Sequence, residues 1–407
     1  MLTMASPGYG QSPGEPPSPE NPSSLPADSI SSGSSFEDAT CPIDESLKDY
    51  PFLFNRRYHK YREGSYPFPN DDQEQERLDI QFNLIKQAQG SRLFFAPVQN
   101  ARNVLDVGTG TGIWCIALAD SELFPEAQIT GIDLSPTQNE DLVPENVSFE
   151  LQDCTDTDWA RPLGSLDFIY TQSLFGSLRS YSEYLITARK YLVPGTGWIE
   201  CCELDIKPRC DDSSMPGADS ESESDEDEIT YRRCTNRGSS TTRFRDNNQS
   251  QQRDYAFKRW TDWMHYACEK QGRPIRIAKK VKKWMIAAGY VDVQVVTTKI
   301  PIGSWPKDKR LKAIGRNWAK LLSDTLPAAS YKPFNDSLDW SRDEIEVFLA
   351  EVRQSLKERS IHAYMKNYTV FGRRPSADEE RAMGRMAPPP LPMNNIGRQP
   401  SQQPAVA

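Results

Sequence analysis

The segment that most restricts the fold is RNVLDVGTGTGIW at 102–114, where an apolar run enters Gly108, Gly110 and Gly112 and a helical pattern follows. Glycine takes positive φ without steric cost and lets backbone N–H groups approach a ligand closely, so this spacing predicts a tight, ligand-facing turn between a strand and a helix. The dinucleotide fingerprint G-x-G-x-x-G needs a third glycine at position 113, and that residue is Ile113. The motif present is G-x-G-x-G, preceded by Asp106. An acid, Asp133, stands 21 residues after Gly112 at the end of the apolar run in QITGIDLS. There a carboxylate can accept hydrogen bonds from both hydroxyls of a ribose. Asp153 follows a further run, NVSFELQ, where it can accept from the exocyclic amine of a nucleobase.

The pattern around the loop alternates. Strand-like runs at 103–107, 128–132, 147–151, 166–170 and 198–204 are interleaved with helical patterns such as 113–118 and 181–192. Alternation of this kind predicts an α/β fold with a mostly parallel sheet and helices on both faces. Farther on, IRIAKKVKKWMIAA at 275–288 reads as an amphipathic helix closed by Gly289, and a strand at 290–300 follows. Residues 341–358 form a helix with Ser341 as N-cap, Glu344 at the capping-box position and Ile345, Phe348, Leu349, Val352 and Leu356 as its apolar stripe. A last strand at 363–371 ends at Gly372.

Composition sets the boundaries. Hydrophobic residues make up 37% of 407, and proline is abundant at 31, so part of the chain belongs outside a packed core. Residues 1–48, rich in Pro and Ser, and 376–407, ending in APPPLPMNNIGRQPSQQPAVA, are expected to be disordered tails. The proline run at 388–392 is of the polyproline II type that SH3 and WW domains take. A single domain is expected over 49–375. The net charge of −9 resides mostly in 205–228, with ten acids against two bases, while 229–259 carries eight bases and two acids. With no apolar periodicity, 207–253 reads as a disordered charged insertion, so the acidity says nothing about substrate. Outside it there is no positive excess, which argues against direct nucleic-acid binding, and Lys279, Lys280, Lys282 and Lys283 read as a solvated helix face.

Eight cysteines without a C-x-x-C pair, and His59, His265 and His362 scattered apart from them, predict neither a metal site nor a disulfide framework. No apolar stretch reaches the length of a membrane span, and none near Met1 reads as a secretory signal. A nuclear or cytoplasmic protein is expected, with no membrane partner.

Five blocks together carry a resemblance: YPFPNDDQEQERLDIQ at 66–81, VLDVGTGTGIW at 104–114, GIDLSPTQ at 131–138, DFIYTQSLFGSL at 167–178 and SIHAYMKNYTVFGRRP at 360–375. The glycine motif resembles the class I S-adenosylmethionine-dependent methyltransferases, and the flanking blocks more narrowly resemble the fungal LaeA-like family. That resemblance implies a Rossmann-like, seven-stranded, mostly parallel sheet whose antiparallel last strand, at 363–371, inserts next to the sixth, at 290–300. It also implies an N-terminal lid helix in 66–90 and a helical insertion at 305–360 before the last strand. The cofactor would be S-adenosyl-L-methionine. Asp106 would orient the loop and sit near the ammonium of the methionine moiety, with Gly108, Thr109, Gly110 and Gly112 passing under the ligand. Asp133 with Leu134 would hold the ribose, and Asp153 with Cys154 would border the adenine. Tyr170, Thr171 and Gln172 would line the pocket beside the sulfonium.

No residue stands out as a general base. The strand end reads Tyr170-Thr-Gln-Ser, not the N-D-P-P-Y type of base-directed amino-methyltransferases, which disfavours adenine or cytosine as acceptor. Glu200 and Glu203 are candidates for the pocket rim, with at most one pointing inward because strand side chains alternate. Trp260, Trp263, Tyr266, Trp284, Trp305, Trp318 and Trp340 can wall an acceptor pocket or fill a core. Phe82 stands where relatives often carry His, which removes a polar role at that position. The acceptor would be a small molecule or a protein, in or regulating fungal secondary metabolism, with protein partners reached through the tails and the insertion. The alternative is a nuclear regulator or scaffold that binds cofactor with little transfer of its own.

Overall fold

The computed structural model describes residues 50–62, 66–138, 143–217 and 255–386. The expected N-terminal tail at 1–48, most of the charged insertion and the C-terminal stretch from 387 lie outside the described residues. A short hairpin, β1 (Phe52–Leu53) and β2 (Arg56–Arg57), precedes helix α1 (Asp72–Ala88). There follow β3 (Asn103–Val107), α2 (Ile113–Ala119), β4 (Gln128–Asp133), β5 (Val147–Leu151), β6 (Phe168–Gln172), α3 (Tyr181–Tyr191) and β7 (Trp198–Arg209). After the insertion come α4 (Ala256–Lys270), α5 (Val281–Ala287), β8 (Val291–Pro301), α6 (Lys309–Leu338), α7 (Arg342–Ser355), β9 (Tyr364–Arg373) and α8 (Ala377–Met386).

Among the described residues, seven strands form one sheet in the order β5-β4-β3-β6-β7-β9-β8. The first five are mutually parallel, and β9 runs antiparallel between β7 and β8. The last strand therefore inserts beside the sixth, as the family resemblance implies. The strand order reverses at β3, with β4 on one side and β6 on the other, and a crevice opens outside the carboxyl ends of strands at such a switch point.

Strand residues are buried on both faces, and their alternation sorts them into two apolar layers. Val104, Phe168, Tyr170, Cys202 and Leu204 face one layer, shared with Trp114 of α2 and Leu84 and Ile85 of α1. Leu105, Val107, Ile169, Ile199 and Cys201 face the other, shared with α3, α5 and Trp159. Helix starts follow the capping logic: Asp71 caps α1 by accepting from the Glu74 N–H, Ser180 caps α3, and Ser341 with Glu344 forms the full capping box of α7.

Two expected boundaries are corrected. The insertion does not begin at 207, because β7 continues to Arg209, whose guanidinium pairs with Asp205 at 2.7 Å. Beyond it, Asp211 accepts from Lys299 Nζ at 2.6 Å and Ser214 Oγ accepts from the His362 N–H at 2.8 Å. The acids there have partners on the neighbouring antiparallel strands, which composition alone does not reveal. The expected C-terminal tail starts with helix instead. Ser376 and Glu379 cap each other reciprocally, and Arg373 and Arg189 bind Glu379 and Glu380 at 2.8 Å each.

Glu200 and Glu203 lie on opposite faces of β7, as alternation requires, yet neither reaches a pocket rim. Glu200 is 1% exposed and accepts from the N–H groups of Phe95 and Ala96 at 2.7 Å each. Glu203 accepts from the N–H groups of Leu174 and Phe175 and from the Tyr181 hydroxyl, at 3.0, 3.2 and 2.9 Å. Burial pushes the Glu200 carboxyl up to about 8 from its ordinary 4.5, and that of Glu203 to about 7. A pKa raised by folding contributes stability that is full below the unfolded value and is lost as pH rises through the folded one. Stability is therefore predicted to fall between about pH 5 and about pH 8, and Glu200→Gln, which keeps an acceptor for both N–H groups, should flatten the fall. Denaturant melts across that range measure it; an unchanged slope in Glu200→Gln removes Glu200 as a source.

Candidate cofactor site

The cleft at the switch point has a volume of about 530 Å³. Its floor is the glycine loop. Gly108, Gly110 and Gly112 take φ of +72°, +57° and +80°, a region that side chains other than glycine enter only with strain. The Gly110 N–H donates to Asp133 Oδ2 at 2.9 Å, so the acid at the end of β4 fixes the loop; its Oδ1 accepts from the Ser135 N–H at 3.0 Å. Asp106 lies beneath, 3% exposed, and accepts from Thr109 Oγ1 at 2.7 Å. Burial pushes its carboxyl up to about 7, against the opposing effect of the Thr109 and Cys115 hydrogen bonds. Burial also raises the pKa of Asp133, opposed by its backbone donors.

Nine of the ten predicted cofactor residues line the cleft: Asp106, Gly108, Thr109, Gly110, Asp133, Leu134, Asp153, Cys154 and Gln172. Gly112 does not. It ends the turn, and a Cβ there would stand 2.3 Å from the Phe149 ring, so its part is conformational. Thr171 is also absent from the lining: it alternates with Tyr170 and Gln172 on β6 and faces the opposite layer. Tyr170 stacks on Trp114 with ring centroids 4.1 Å apart, and its hydroxyl donates to Gln172 Oε1 at 3.0 Å, which sets the direction of that amide. Trp260, Trp263, Tyr266, Trp284, Trp305, Trp318 and Trp340 do not line the cleft, nor do His59, His265 and His362. Trp260 and Trp318 are buried in the core, Trp260 donating to Ser330 Oγ at 2.8 Å.

The roof is α1 with the segment before it. Asp79 Oδ1 accepts from Thr111 Oγ1 at 2.6 Å, and Leu78 Cδ1 would stand 3.7 Å from a Cβ on Gly110. Gln81 donates to Ser173 Oγ at 3.2 Å and accepts from Arg77 at 2.7 Å, joining the roof to the loop after β6. Phe82, buried at 7% exposure, also lines the cleft. The hairpin secures this roof, since Arg56 holds both oxygens of the N-cap Asp71 at 2.5 and 2.7 Å. At the other end Arg62 reaches Asp153 at 3.4 Å and Asp156 at 2.8 Å. The sequence reading missed this part, because arginines before a helix carry no motif. It also missed Tyr66, Glu74, Leu174, Arg179 and Arg273 in the lining.

A Gly-rich turn held by a strand-end acid, on a sheet with an antiparallel seventh strand, defines a class I methyltransferase domain. A family profile described as a methyltransferase domain matches residues 80–295, and the chain belongs to that family. It is 31% identical over 341 residues to the methyltransferase pytC of Aspergillus terreus, covering 83% of this chain and 92% of that protein. It is 30% identical over 325 residues to the secondary metabolism regulator LAE1 of Cochliobolus heterostrophus, covering 79% and 93%. Among solved structures, phosphoethanolamine N-methyltransferase 2 of Haemonchus contortus in complex with S-adenosyl-L-methionine covers 74% of this chain and 52% of its own, at 14% identity and a TM-score of 0.38. S-adenosyl-L-methionine is the methyl donor of this class.

The two turn glycines make a contrast that can be measured. Gly112→Ala meets the Phe149 ring at 2.3 Å, whereas Gly110→Ala meets only Leu78 at an ordinary 3.7 Å. Gly110→Ala should cost about 1–2 kcal/mol from its positive φ alone, and Gly112→Ala more. Thermal melts of the two variants check the order; equal losses would mean that Phe149 moves aside freely.

Proposed function

We propose that this protein binds S-adenosyl-L-methionine in the cleft and transfers its methyl group to a small-molecule or protein acceptor, in or regulating fungal secondary metabolism. The observation carrying the proposal is the set formed by the positive-φ glycine loop, the Asp133 clamp on Gly110 and the buried carboxyl of Asp106, all facing one cleft. The cradle fits such a cofactor: a side chain on Gly110 would project toward Leu78, into the space between loop and roof. Asp133 would take the ribose hydroxyls, Asp106 the ammonium of the methionine moiety, and Asp153 with Cys154 the adenine. Leu134 and Gln172 would complete the walls.

The cofactor supplies a methyl group on a sulfonium, so displacement needs no protein nucleophile. What this chain adds is position and exclusion of water. The roof of α1, pinned by Asp79 to Thr111 and by Gln81 to Ser173, covers the loop. The stacked Trp114 and Tyr170 close the inner wall. The cleft lining includes no histidine, so an acceptor with an acidic proton, or one already deprotonated, suits it best. That feature, together with relatives named as regulators, favours a second reading in which cofactor is bound but transfer is slight.

Calorimetry with S-adenosylhomocysteine tests the proposal. Asp133→Ala should weaken binding by about 1.5–3 kcal/mol, roughly 10- to 100-fold. No binding by the wild type, or equal binding by the variant, would overturn it. Near pH 7 the Asp106 carboxyl is partly protonated, and an ammonium beside it favours the carboxylate, so binding should release protons. The binding enthalpy should therefore vary with buffer ionisation enthalpy, and Asp106→Asn should shrink that dependence.

A further inference from the structure

A second concavity, of about 200 Å³, shares no lining residue with the cofactor cleft. Arg316 of α6 lines it together with Lys357 and Arg359, which follow the end of α7, and the half-buried Trp305 and buried Leu356 supply apolar surface. All three cations are exposed, and among the described residues none of their side chains has a hydrogen bond or an ion pair. The acid in the lining is Glu358. Burial first, and then the charge of Glu358, push the Tyr255 hydroxyl above its ordinary pKa, so Glu358 stands near Tyr255. Three cations therefore face one carboxylate.

Both ends of the charged insertion are fastened beside this concavity. On the way out, the His362 N–H donates to Ser214 Oγ at 2.8 Å, the His362 ring hydrogen-bonds Asp212, and that ring packs on Trp305 with centroids 5.1 Å apart. On the way back, the Tyr255 N–H donates to the Pro216 carbonyl at 3.3 Å, and the Phe257 N–H donates to Ser355 Oγ at 3.1 Å, at the last residue of α7. The chain thus departs at Gly217 and resumes at Tyr255 in one place, next to the three cations. What it carries first is acid: 219–228 holds Asp219, Glu221, Glu223, Asp225, Glu226, Asp227 and Glu228, and no base. An extended chain spans at most about 3.6 Å per residue, so Glu228 lies within about 40 Å of Gly217.

Exposed charge pairs are weak one by one, but a short tether raises the effective concentration of the second partner to about the millimolar range, where several weak pairs hold together. The size of the concavity agrees, since small-molecule sites usually start at about 300 Å³ and this one suits side chains. Guanidinium forks match carboxylate oxygens.

We propose that the acidic block 219–228 of this same chain docks on Arg316, Lys357 and Arg359 and holds the insertion against the end of α7. The competing partners for the block are the arginines that follow it, Arg232, Arg233, Arg237, Arg243 and Arg245.

The test is zero-length carbodiimide cross-linking of the full chain, read by mass spectrometry. Amide links should join Lys357 to carboxylates of 219–228 about fivefold or more often than they join the exposed Lys279, Lys282 or Lys283, and about 1 M salt, with a screening length of about 3 Å, should remove them. Arg316→Gln combined with Arg359→Gln, both at exposed positions, should cut the Lys357 links about fivefold or more. The proposal is overturned if Lys357 is not linked, if Lys279, Lys282 and Lys283 are linked as often, or if the double variant changes nothing. It is equally overturned if the Lys357 links appear only after the five arginines of the insertion are changed to Gln, which would mean that the block pairs with them. Links joining isotope-labelled to unlabelled chains in a mixed sample would replace it with docking between two copies.

Discussion

The hydrogen bond from the Gly110 N–H to Asp133 Oδ2, at 2.9 Å, ties the end of β4 to the turn after β3, and much of the cleft is built outward from it. With the loop fixed, Thr109 turns back onto Asp106 and Thr111 turns up to Asp79 of α1. One side of the loop thus grips the strand beneath and the other grips the roof. Asp106 is buried and Asp133 and Asp79 are half-buried, so these bonds are made where water competes weakly and an unmade bond is costly. The turn is a rigid platform for that reason more than through its glycines, which permit the conformation but do not select it.

Buried carboxylates repeat this device on β7. Glu200 holds the chain before β3 through Phe95 and Ala96, and Glu203 holds the chain after β6 through Leu174 and Phe175. The second clamp bears on the cleft, because Leu174 Cδ2 stands 2.5 Å from where a Cβ on Gly108 would be. A strand two places from the glycine loop thereby sets how the opposite wall meets it. These acids behave as substitutes for backbone pairing in loops that have no strand partner, not as groups awaiting substrate.

How far the sequence reads the structure follows from the range of the interactions. The glycine turn, Asp133 and the Ser341 capping box depend on residues a few positions apart or on one strand–turn–helix unit, and they are legible as spacings. The antiparallel insertion of β9 is not a local property, and it was reached through family resemblance. The fate of Glu200 and Glu203 was not legible, because their partners are backbone N–H groups about 105 and 29 residues away. Composition failed in the same way at Asp211, whose partner Lys299 lies 88 residues on, and at Ser376–Glu379, where a short capped helix hides in a sequence that averages as tail. The arginines that brace the cleft were silent for a further reason: Arg56 on Asp71 and Arg62 on Asp153 have no fixed spacing to the glycine motif.

The charged insertion follows β7 in the chain. The described residues run through Gly217 beyond β7 and resume at Tyr255 before α4. The acids that precede the insertion are engaged, Asp205 with Arg209 within β7 and Asp211 with Lys299 and Tyr364. Charge held in such local pairs exerts little field beyond about 8–10 Å once screened by salt. What selects a ligand must then come from groups inside the cleft. There Asp106, Asp133, Glu74 and Asp153 are engaged by the loop, the roof and Arg62, and Arg273 donates to the Ser177 carbonyl within the field of Asp153.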